Sequence, residues 1–399
     1  METIFNRLKS NYLFQASLGS KELFHSNLLA WLLEQKDTNG KYIALQEFLK
    51  QFTVFNQTDF FDEVIIAREE LNIDLTIKYK VENQWYLVFI ENKMKSIPSI
   101  NQLDEYDKKI EKLMPRYKCS NETIQKILLT PLTPRLINNL SLKESSWKSI
   151  TYQKDILFFL KSLQHISFAL FEEVKFFLEK YIDLLECQMA LLLSFNLDSA
   201  QEQVFLKMPY DFYAPNNKVI ALTRELRLHD LILKIIHDQL GSQIERRLVK
   251  MGIFPRRVDT EFTNSTGITS VDLTIKDGLY IGIQLQGNQF RYYISGSNSS
   301  QNESLAVKLF QQKLWFYDID LNLPLEGQGR RKDHFVKLGL IDENHTHRAF
   351  CEYNNGIFVY FYKRIDTMNQ IPSVEFIIDL FVRSFERYNT HKQEILKLL

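Results

Sequence analysis

The chain has 399 residues, and this length predicts two domains because a single hydrophobic core seldom organises so long a chain. Hydrophobic residues make up 45% of the sequence and include 30 Phe and 18 Tyr, which excludes a largely disordered protein. The 49 basic and 49 acidic residues cancel, so strong non-specific binding to nucleic acid is not expected. Zero net charge still leaves room for a local basic groove or for a partner subunit that supplies charge.

The cysteines and the apolar segments indicate the compartment. Cys119, Cys187 and Cys351 are far apart and form no CxxC pair, which argues against a disulfide framework and a structural zinc site. The first residues lack the pattern of a secretory signal, and the most apolar long stretch, residues 168–195, carries too many charges for a membrane span. We therefore expect a cytoplasmic protein with no membrane partner.

Hydrophobic periodicity predicts alternating helices and strands along the first half of the chain. In chain order these are helices at 24–33 and 44–52, strands at 63–69, 72–80 and 85–91, a helix at 100–113, strands at 123–129 and 149–152, and helices at 155–163 and 169–195. The polar break Glu82-Asn83-Gln84 separates the second and third strands, as a hairpin requires.

A polar break near residues 198–203 introduces the second half, which is also α/β in pattern. We expect one domain over residues 1–196 and another over residues 197–399. The elements predicted for the second are a helix at 222–248, strands at 269–275, 279–285 and 291–294, a helix at 305–316, strands at 350–353 and 357–362, and a helix at 374–388.

Charged residues stand where two predicted strands of the first half meet. Asp74 lies among apolar neighbours, and Glu91 and Lys93 follow an apolar run that reads as a strand buried on both faces. Residues two apart on an extended chain point to one side, about 7 Å apart. If the two strands form a hairpin, Asp74 lies beside Glu91.

Such a cluster suits a divalent cation. Two neighbouring carboxylates repel each other unless one takes up a proton or a cation lies between them. Magnesium prefers one or two carboxylates with several waters, lowers the pKa of a bound water and neutralises charge on a phosphate. Lys93 would orient the attacking water or stabilise developing negative charge. The alternative for Glu91 and Lys93 is a solvated strand end with a surface ion pair.

These features together resemble the PD-(D/E)xK nuclease superfamily, and in particular a prokaryotic branch whose first helix carries a sequence such as residues 22–33, ELFHSNLLAWLL. The resemblance covers roughly residues 20–165. It departs from the pattern at Asn72-Ile73, where the name-giving proline would precede Asp74. It implies a restriction-endonuclease-like core, in which helices flank a mixed β-sheet.

The resemblance also implies roles for individual residues. Asp74 and Glu91 would bind Mg²⁺, with Mn²⁺ able to substitute, and Lys93 would assist the attacking water. An acidic residue on the first helix often joins the site, and Glu22 is its match. Because Lys93 lies beyond the apolar run, we expect it at the rim of the core, where Lys93→Ala would remove activity at little cost in stability.

Four further residues are candidates for substrate binding. Gln102 and Tyr106 match a QxxxY motif that some branches carry on the following helix. Tyr106 is also a candidate for the core, because Leu103 and Ile110 share its helix face. His25 and Ser26 either orient Glu22 or contact phosphate, or they only fix the start of the first helix.

The second half echoes the first. Residues 271–276, VDLTIK, resemble residues 73–78, IDLTIK, and Gln284 and Gln286 stand where the first half has Glu91 and Lys93. A degenerate repeat of the nuclease core is one interpretation, and chance similarity between two hairpins is the other. If it is a repeat, Asp272 and Gln284 lie on adjacent strands and superpose on Asp74 and Glu91.

The sequence thus leaves three functions open. The first is a Mg²⁺-dependent endonuclease that acts on DNA rather than RNA, with a role in restriction or anti-phage defence implied by the resemblance alone. The second is a catalytically silent nucleic-acid-binding or scaffold protein that reuses the fold. The third is an RNA-directed or effector-gated nuclease. A homodimer or a partner subunit is compatible with each of them.

Overall fold

The computed structural model describes residues 2–17, 22–54, 60–94, 100–132, 146–166, 171–195, 197, 223, 225, 226, 228–263, 266–287, 289–316, 351–353, 357–365 and 372–399. The backbone divides into two compact units, residues 1–196 with 216–232 and residues 197–215 with 233–399. Each unit is described by itself. The assignment of residues 1–196 and 197–399 to separate domains stays a prediction.

The first unit contains a sheet flanked by helices. Its two most N-terminal helices were not predicted, whereas the later helices and strands lie where the periodicity placed them, with shifts of a few residues at their ends. Its elements are α1 (Glu2–Ser10), α2 (Tyr12–Ser17), α3 (Glu22–Glu34), α4 (Ile43–Phe52), β1 (Glu63–Arg68), β2 (Leu75–Val81), β3 (Gln84–Asn92), α5 (Ile100–Tyr117), β4 (Ile124–Thr130), β5 (Trp147–Thr151), α6 (Leu157–His165) and α7 (Glu172–Leu193).

The sheet of the first unit is mixed, with strand order β1-β2-β3-β4-β5. Strands β1, β2 and β3 are antiparallel, and β4 and β5 continue the sheet in parallel. The parallel step from β3 to β4 needs a crossover connection, and α5 lies in it. The α/β prediction of a restriction-endonuclease-like core is therefore confirmed.

Helix α5 covers one face of this sheet through a compact core cluster. Alternate residues of β3 point to that face because side chains on a strand alternate between its two sides. Phe89 on β3 and Tyr106 on α5 are both buried in the cluster. The buried members are Ile73, Leu87, Phe89, Leu103, Tyr106, Ile110, Leu128 and Trp147. Glu91 and Lys93 continue the alternation of Phe89, so they extend the same face beyond the apolar core.

A strained turn precedes β2, although a strand was predicted from residue 72. A 3-10 turn spans Glu70–Asn72, and Leu71 has a φ of 60°, in the left-handed region that a leucine seldom adopts. Backbone strain of this kind costs about 1–3 kcal/mol and persists only where surrounding contacts impose it. Lys109 Nζ donates to the Leu71 carbonyl at 3.0 Å, and Lys78 Nζ lies 2.7 Å from Glu70 Oε1. Asp74 follows this turn and directly precedes β2.

The second unit also combines helices with one sheet. Helix α8 runs through the point where the two units divide. The elements are α8 (His229–Lys250), β6 (Arg257–Thr263), β7 (Thr266–Lys276), β8 (Leu279–Gln286), β9 (Gln289–Gly296), α9 (Ser299–Gln311), β10 (Cys351–Tyr353), β11 (Phe358–Arg364) and α10 (Val374–Leu396). The strand order is β10-β11-β9-β8-β7-β6, and all described neighbours are antiparallel.

The predicted repeat extends no further than an antiparallel hairpin. Asp272 and Gln284 lie on adjacent strands, as predicted, but Asp272 is paired with Gly282 and Gln284 with Ser270. Gln284 therefore does not take the place of Glu91. Strand β9 follows β8 directly and is antiparallel to it, whereas β4 is parallel to β3 and reached through α5. Of the two interpretations of the sequence echo, the strand topology favours chance similarity between two hairpins over a degenerate repeat, because a short echo does not specify register.

None of the described helices combines the length and the apolar character that crossing a bilayer demands.

Buried tyrosines in both units predict loss of stability in alkali. Burial raises the pKa values of Tyr79, Tyr181 and Tyr293 above that of an exposed tyrosine, which is about 10. The unfolded chain therefore releases these protons at lower pH than the folded chain does. Their contribution to stability is fully present below pH about 10 and is lost as the pH rises further. Thermal melts between pH 8 and 11 should show the midpoint falling steeply only above pH 10.

Candidate active site

Asp74, Glu91 and Lys93 come together at one end of the β2–β3 hairpin. Leu75 is paired with Ile90, so the next position of the register sets Asp74 beside Glu91. The backbone N–H of Asn92 donates to Asp74 Oδ2 at 2.7 Å, which holds the aspartate against the end of β3. The backbone N–H of Lys93 donates to the Leu129 carbonyl at 2.8 Å, which extends the β3–β4 contact by one residue. The juxtaposition predicted from the sequence is present.

The Glu91 carboxylate is buried and only partly satisfied. Its Oε1 atom lies 2.6 Å from Lys93 Nζ, and the two side chains are 3% and 8% exposed. The same oxygen accepts a hydrogen bond from the Tyr106 hydroxyl at 3.1 Å. The other oxygen, Oε2, is buried and has no hydrogen-bond partner among the described residues. A buried carboxylate oxygen of this kind is costly unless it binds something.

Lys93 is thus placed differently from the prediction. It was expected at the rim, with a solvated ion pair as the alternative, but its side chain is buried against Glu91. The sequence gives the end of the apolar run, but not the helix and the neighbouring strand that enclose the residues after it. In this state Lys93 supplies the charge that offsets the Glu91 carboxylate.

Tyr106 belongs to the core and also contacts the candidate site, while its predicted role in substrate binding stays a prediction. It is buried in the α5 core cluster, and its hydroxyl reaches Glu91. Gln102 Nε2 donates to that hydroxyl at 2.8 Å, so the two motif residues and the carboxylate form a chain of hydrogen bonds. Burial, and then the Glu91 carboxylate, raise the pKa of Tyr106 above its ordinary value. The hydroxyl therefore remains a hydrogen-bond donor at neutral pH.

Asn92 links three elements, although no role was predicted for it. Its backbone N–H binds Asp74, and its side-chain Nδ2 donates to Ser26 Oγ on α3 at 3.0 Å. Both Asn92 and Ser26 are buried. Because Asn92 points to the sheet face opposite Glu91, it connects helix α3 to the end of β3, where Glu91 and Lys93 lie. Its place between Glu91 and Lys93 was the available signal.

His25 anchors helix α3. Its side chain is fully buried, and Nδ1 lies 3.1 Å from the Tyr181 hydroxyl of α7. Its ring also packs against those of Phe24 and Tyr152. Buried side chains at His25 and Ser26 do not favour contact with phosphate. Of the predicted roles, these contacts support fixing the start of α3.

Glu22 is the first residue of α3, but its side chain lies outside the described part of the structure. Its predicted role as a third acidic residue of the site stays a prediction.

The residues present fit a magnesium site with few protein ligands. No cluster of three or more His, Cys, Asp or Glu side chains suited to a metal occurs within the described ranges. Magnesium, however, is commonly held by one or two carboxylates and keeps several of its waters. Asp74 and Glu91 provide that pair, and Glu91 Oε2 is an available ligand atom.

Comparison with protein families assigns this part of the chain. Residues 10–183 match the PD-(D/E)XK nuclease superfamily. The match lies within the first unit. The match takes in α3, the β2–β3 hairpin, α5 and the start of α7, and so includes every candidate site residue. The resemblance seen in the sequence is thereby confirmed. No curated protein and no solved structure matches the chain significantly.

The hydroxyl of Tyr106 gives a first test of this candidate site. Tyr106→Phe removes the hydrogen bond to Glu91 and leaves the ring in the core. Groups that orient metal ligands typically contribute about 10- to 100-fold to metal affinity or activity. We expect a rate loss of that size with little change in the melting temperature. The control is Tyr117→Phe, which removes a hydroxyl of the same helix that accepts from Lys78 and does not contact Glu91. Full activity in Tyr106→Phe would show that the hydroxyl has no such role.

Proposed function

We propose that the chain is a metal-dependent nuclease that hydrolyses phosphodiester bonds in DNA. The observation that carries the proposal is the convergence of Asp74, Glu91 and Lys93 inside a PD-(D/E)XK nuclease domain, with one oxygen of Glu91 buried and without a hydrogen bond in the described structure. Asp74 and Glu91, together with Glu22, would hold Mg²⁺, and Mn²⁺ would substitute for it.

The protein side chains have separate tasks in this proposal. A cation held by Asp74 and Glu91 would neutralise charge at the scissile phosphate and would make an attacking water more acidic. Lys93 holds a positive charge beside Glu91, where it can orient that water or stabilise charge on the phosphate. The Asn92 backbone N–H fixes Asp74, and the Tyr106 hydroxyl fixes Glu91. Preorganisation of this kind maintains the site between turnovers.

The direct experiment incubates the purified chain with supercoiled plasmid, single-stranded DNA and RNA, each with Mg²⁺, Mn²⁺ or EDTA. We expect cleavage of DNA with either cation and none with EDTA. Nicking or linearisation of the plasmid distinguishes endonuclease from exonuclease activity. Cleavage that persists in EDTA contradicts metal dependence, and cleavage of RNA alone contradicts the choice of DNA.

A second candidate is a nucleic-acid-binding protein without catalysis. The buried Lys93–Glu91 ion pair favours it, because a lysine paired with a carboxylate does not contact an attacking water or a phosphate. The incubation above separates the two, since a protein that only binds nucleic acid leaves every substrate intact with each metal. A role in restriction or anti-phage defence, a cytoplasmic location and assembly with a second copy or a partner subunit belong to the nuclease proposal as expectations.

A further inference from the structure

The turn before strand β2 contains three non-glycine residues with left-handed backbone. Glu69, Leu71 and Asn72 have φ values of 55°, 60° and 64°. Asparagine tolerates this region, whereas glutamate and leucine seldom adopt it. Strain of this kind persists only where neighbouring contacts impose it, and it is concentrated at functional sites. The contacts that hold this turn are therefore candidates for a functional role.

Backbone hydrogen bonds join the turn to Asp74. The backbone N–H of Glu69 donates to the Asp74 carbonyl at 3.2 Å. Inside the segment that this bond closes, the N–H of Ile73 donates to the Glu70 carbonyl at 3.0 Å. The turn thus ends on a residue that carries one carboxylate of the candidate site. Because the backbone of Asp74 is bonded to the turn, its position beside β3 depends on the conformation of the turn.

Lys109 on helix α5 contacts both this turn and the ring of Tyr106. Its Nζ atom donates to the Leu71 carbonyl at 3.0 Å and lies 5.3 Å from the centroid of the Tyr106 ring. Gln102, Tyr106 and Lys109 share one face of α5, because residues four and seven positions apart lie on the same side of a helix. Tyr106 in turn donates to the Glu91 carboxylate. One helix face therefore contacts both the turn before Asp74 and Glu91 itself.

A second lysine at the turn makes a different kind of contact. Lys78 Nζ lies 2.7 Å from Glu70 Oε1, so this ion pair ends on a side chain. The Lys109 contact ends on a backbone carbonyl, at the leucine with left-handed backbone. Since the backbone of the turn is what places Asp74, loss of the Lys109 contact bears on Asp74 more directly than loss of the Lys78 pair does.

We propose that Lys109 is a positioning residue of the candidate site, which holds the left-handed turn through the Leu71 carbonyl and so keeps Asp74 beside Glu91. This role rests on the proposed nuclease function, because it concerns the two carboxylates assigned to the metal. Without the lysine contact the strained turn relaxes, and the two carboxylates are no longer held together before the metal binds. The affinity for metal therefore falls, whereas the rate at saturating metal changes much less.

The test replaces Lys109 with methionine, which keeps the apolar stem of this half-buried side chain and removes the ammonium group. The affinity for Mn²⁺, followed by electron paramagnetic resonance, should fall by about 10- to 100-fold. Saturating Mn²⁺ should restore most of the rate of DNA cleavage. Lys109→Arg retains a charged donor that can bind the carbonyl and stack on a ring, so its affinity for Mn²⁺ should stay near that of the wild type.

Hydrogen exchange gives a measurement that needs neither metal nor substrate. In Lys109→Met without metal, the backbone amides of Glu69 and Ile73 should exchange roughly tenfold faster than in the wild type, because a hydrogen bond from a charged group to the turn is lost. In Lys109→Arg they should exchange at the wild-type rate.

Two other lysines provide matched controls. Lys78→Met removes the ion pair that reaches a side chain of the same turn. Lys126→Met removes the contact between β4 and α5, where Lys126 Nζ lies 2.9 Å from Asp107 Oδ1. Both variants should bind Mn²⁺ with the wild-type affinity per folded molecule. An equal loss of affinity in Lys126→Met would attribute the effect to a general loosening of α5 and would overturn the positioning role.

The remaining outcomes separate this proposal from the proposed function. Weaker Mn²⁺ binding and faster exchange in Lys109→Met, both rescued in Lys109→Arg, support the positioning role. Wild-type affinity and wild-type exchange in Lys109→Met overturn that role alone, provided that the wild-type protein binds Mn²⁺ and cleaves DNA. A wild-type protein that binds no Mn²⁺ and cleaves no nucleic acid overturns the nuclease function and the positioning role together.

Discussion

Replacing Lys93 with methionine is expected to abolish metal-dependent cleavage, with a rate loss of roughly a hundred- to ten-thousandfold. Methionine preserves most of the apolar stem that is buried against β3 and removes only the ammonium group beside Glu91. Metal ligands are untouched, so Mn²⁺ binding measured by calorimetry should change little. Single-turnover cleavage of plasmid DNA at saturating Mg²⁺ measures the effect.

The stability of this variant should depend on the metal. Lys93 offsets a buried carboxylate, and removing one partner of a buried ion pair costs about 3–5 kcal/mol. We therefore expect a clear fall in melting temperature in EDTA, contrary to the small effect that a rim position would give. Mg²⁺ should restore part of it, because the cation replaces the lost positive charge near Glu91. A melting temperature that does not respond to Mg²⁺ would contradict the placement of the metal.

Lys78→Met is the matched control for Lys93. Lys78 is buried on the same hairpin and lies 2.7 Å from Glu70, but at a distance along β2 from the charged end. Its loss should lower the melting temperature to a similar extent in EDTA and leave the cleavage rate per folded molecule unchanged. Full cleavage by Lys93→Met would show that the lysine has only a structural role.

Asp74→Asn and Glu91→Gln are expected to remove both cleavage and metal binding. Charge neutralisation by a bound metal contributes several kcal/mol at the transition state, so the rate should fall by roughly a thousandfold or more. The apparent affinity for Mn²⁺, followed by calorimetry or by electron paramagnetic resonance, should fall in both variants. That loss separates them from Lys93→Met, which should retain the metal.

Glu70→Gln serves as the control for the two carboxylates. It neutralises an acidic residue that is paired with a buried lysine on the same hairpin, without touching the charged strand end. Its metal affinity and rate should equal those of the wild type. Mn²⁺ affinity that is the same in Asp74→Asn, Glu91→Gln and wild type would mean that the cation binds elsewhere.

The sequence predicted the parts of the site that local patterns determine. The apolar run before Glu91 predicted a buried strand, and the polar break at Glu82-Asn83-Gln84 predicted a hairpin that brings Asp74 beside Glu91. The helical spacing that carries Gln102 and Tyr106 predicted their contact, since residues four apart share a helix face. These features depend only on residues close together in the chain.

The remaining features depend on contacts between distant segments. The left-handed backbone at Leu71 has no glycine to signal it, because a lysine contact from α5 holds the turn. The burial of Lys93 depends on the β3–β4 contact, and the linking role of Asn92 depends on Ser26, which lies 66 residues earlier in the chain. The echo in the second half could not decide between a repeat and chance similarity for a related reason. The echoed strands β2 and β7 both have antiparallel neighbours, and the two sheets differ at the following strand, where β4 is parallel to β3 and β9 is antiparallel to β8.

The contact between His25 and Tyr181 can form only late in the synthesis of the first unit. These residues are 156 positions apart, whereas Asp74 and Glu91 belong to one hairpin. At a translation rate of about 5–20 residues per second, the hairpin leaves the ribosome well before α7 does. Until α7 emerges, helix α3 lacks the contact that holds its N-terminal end. A nascent chain thus carries the charged residues of the hairpin early but obtains a fixed helix α3 late.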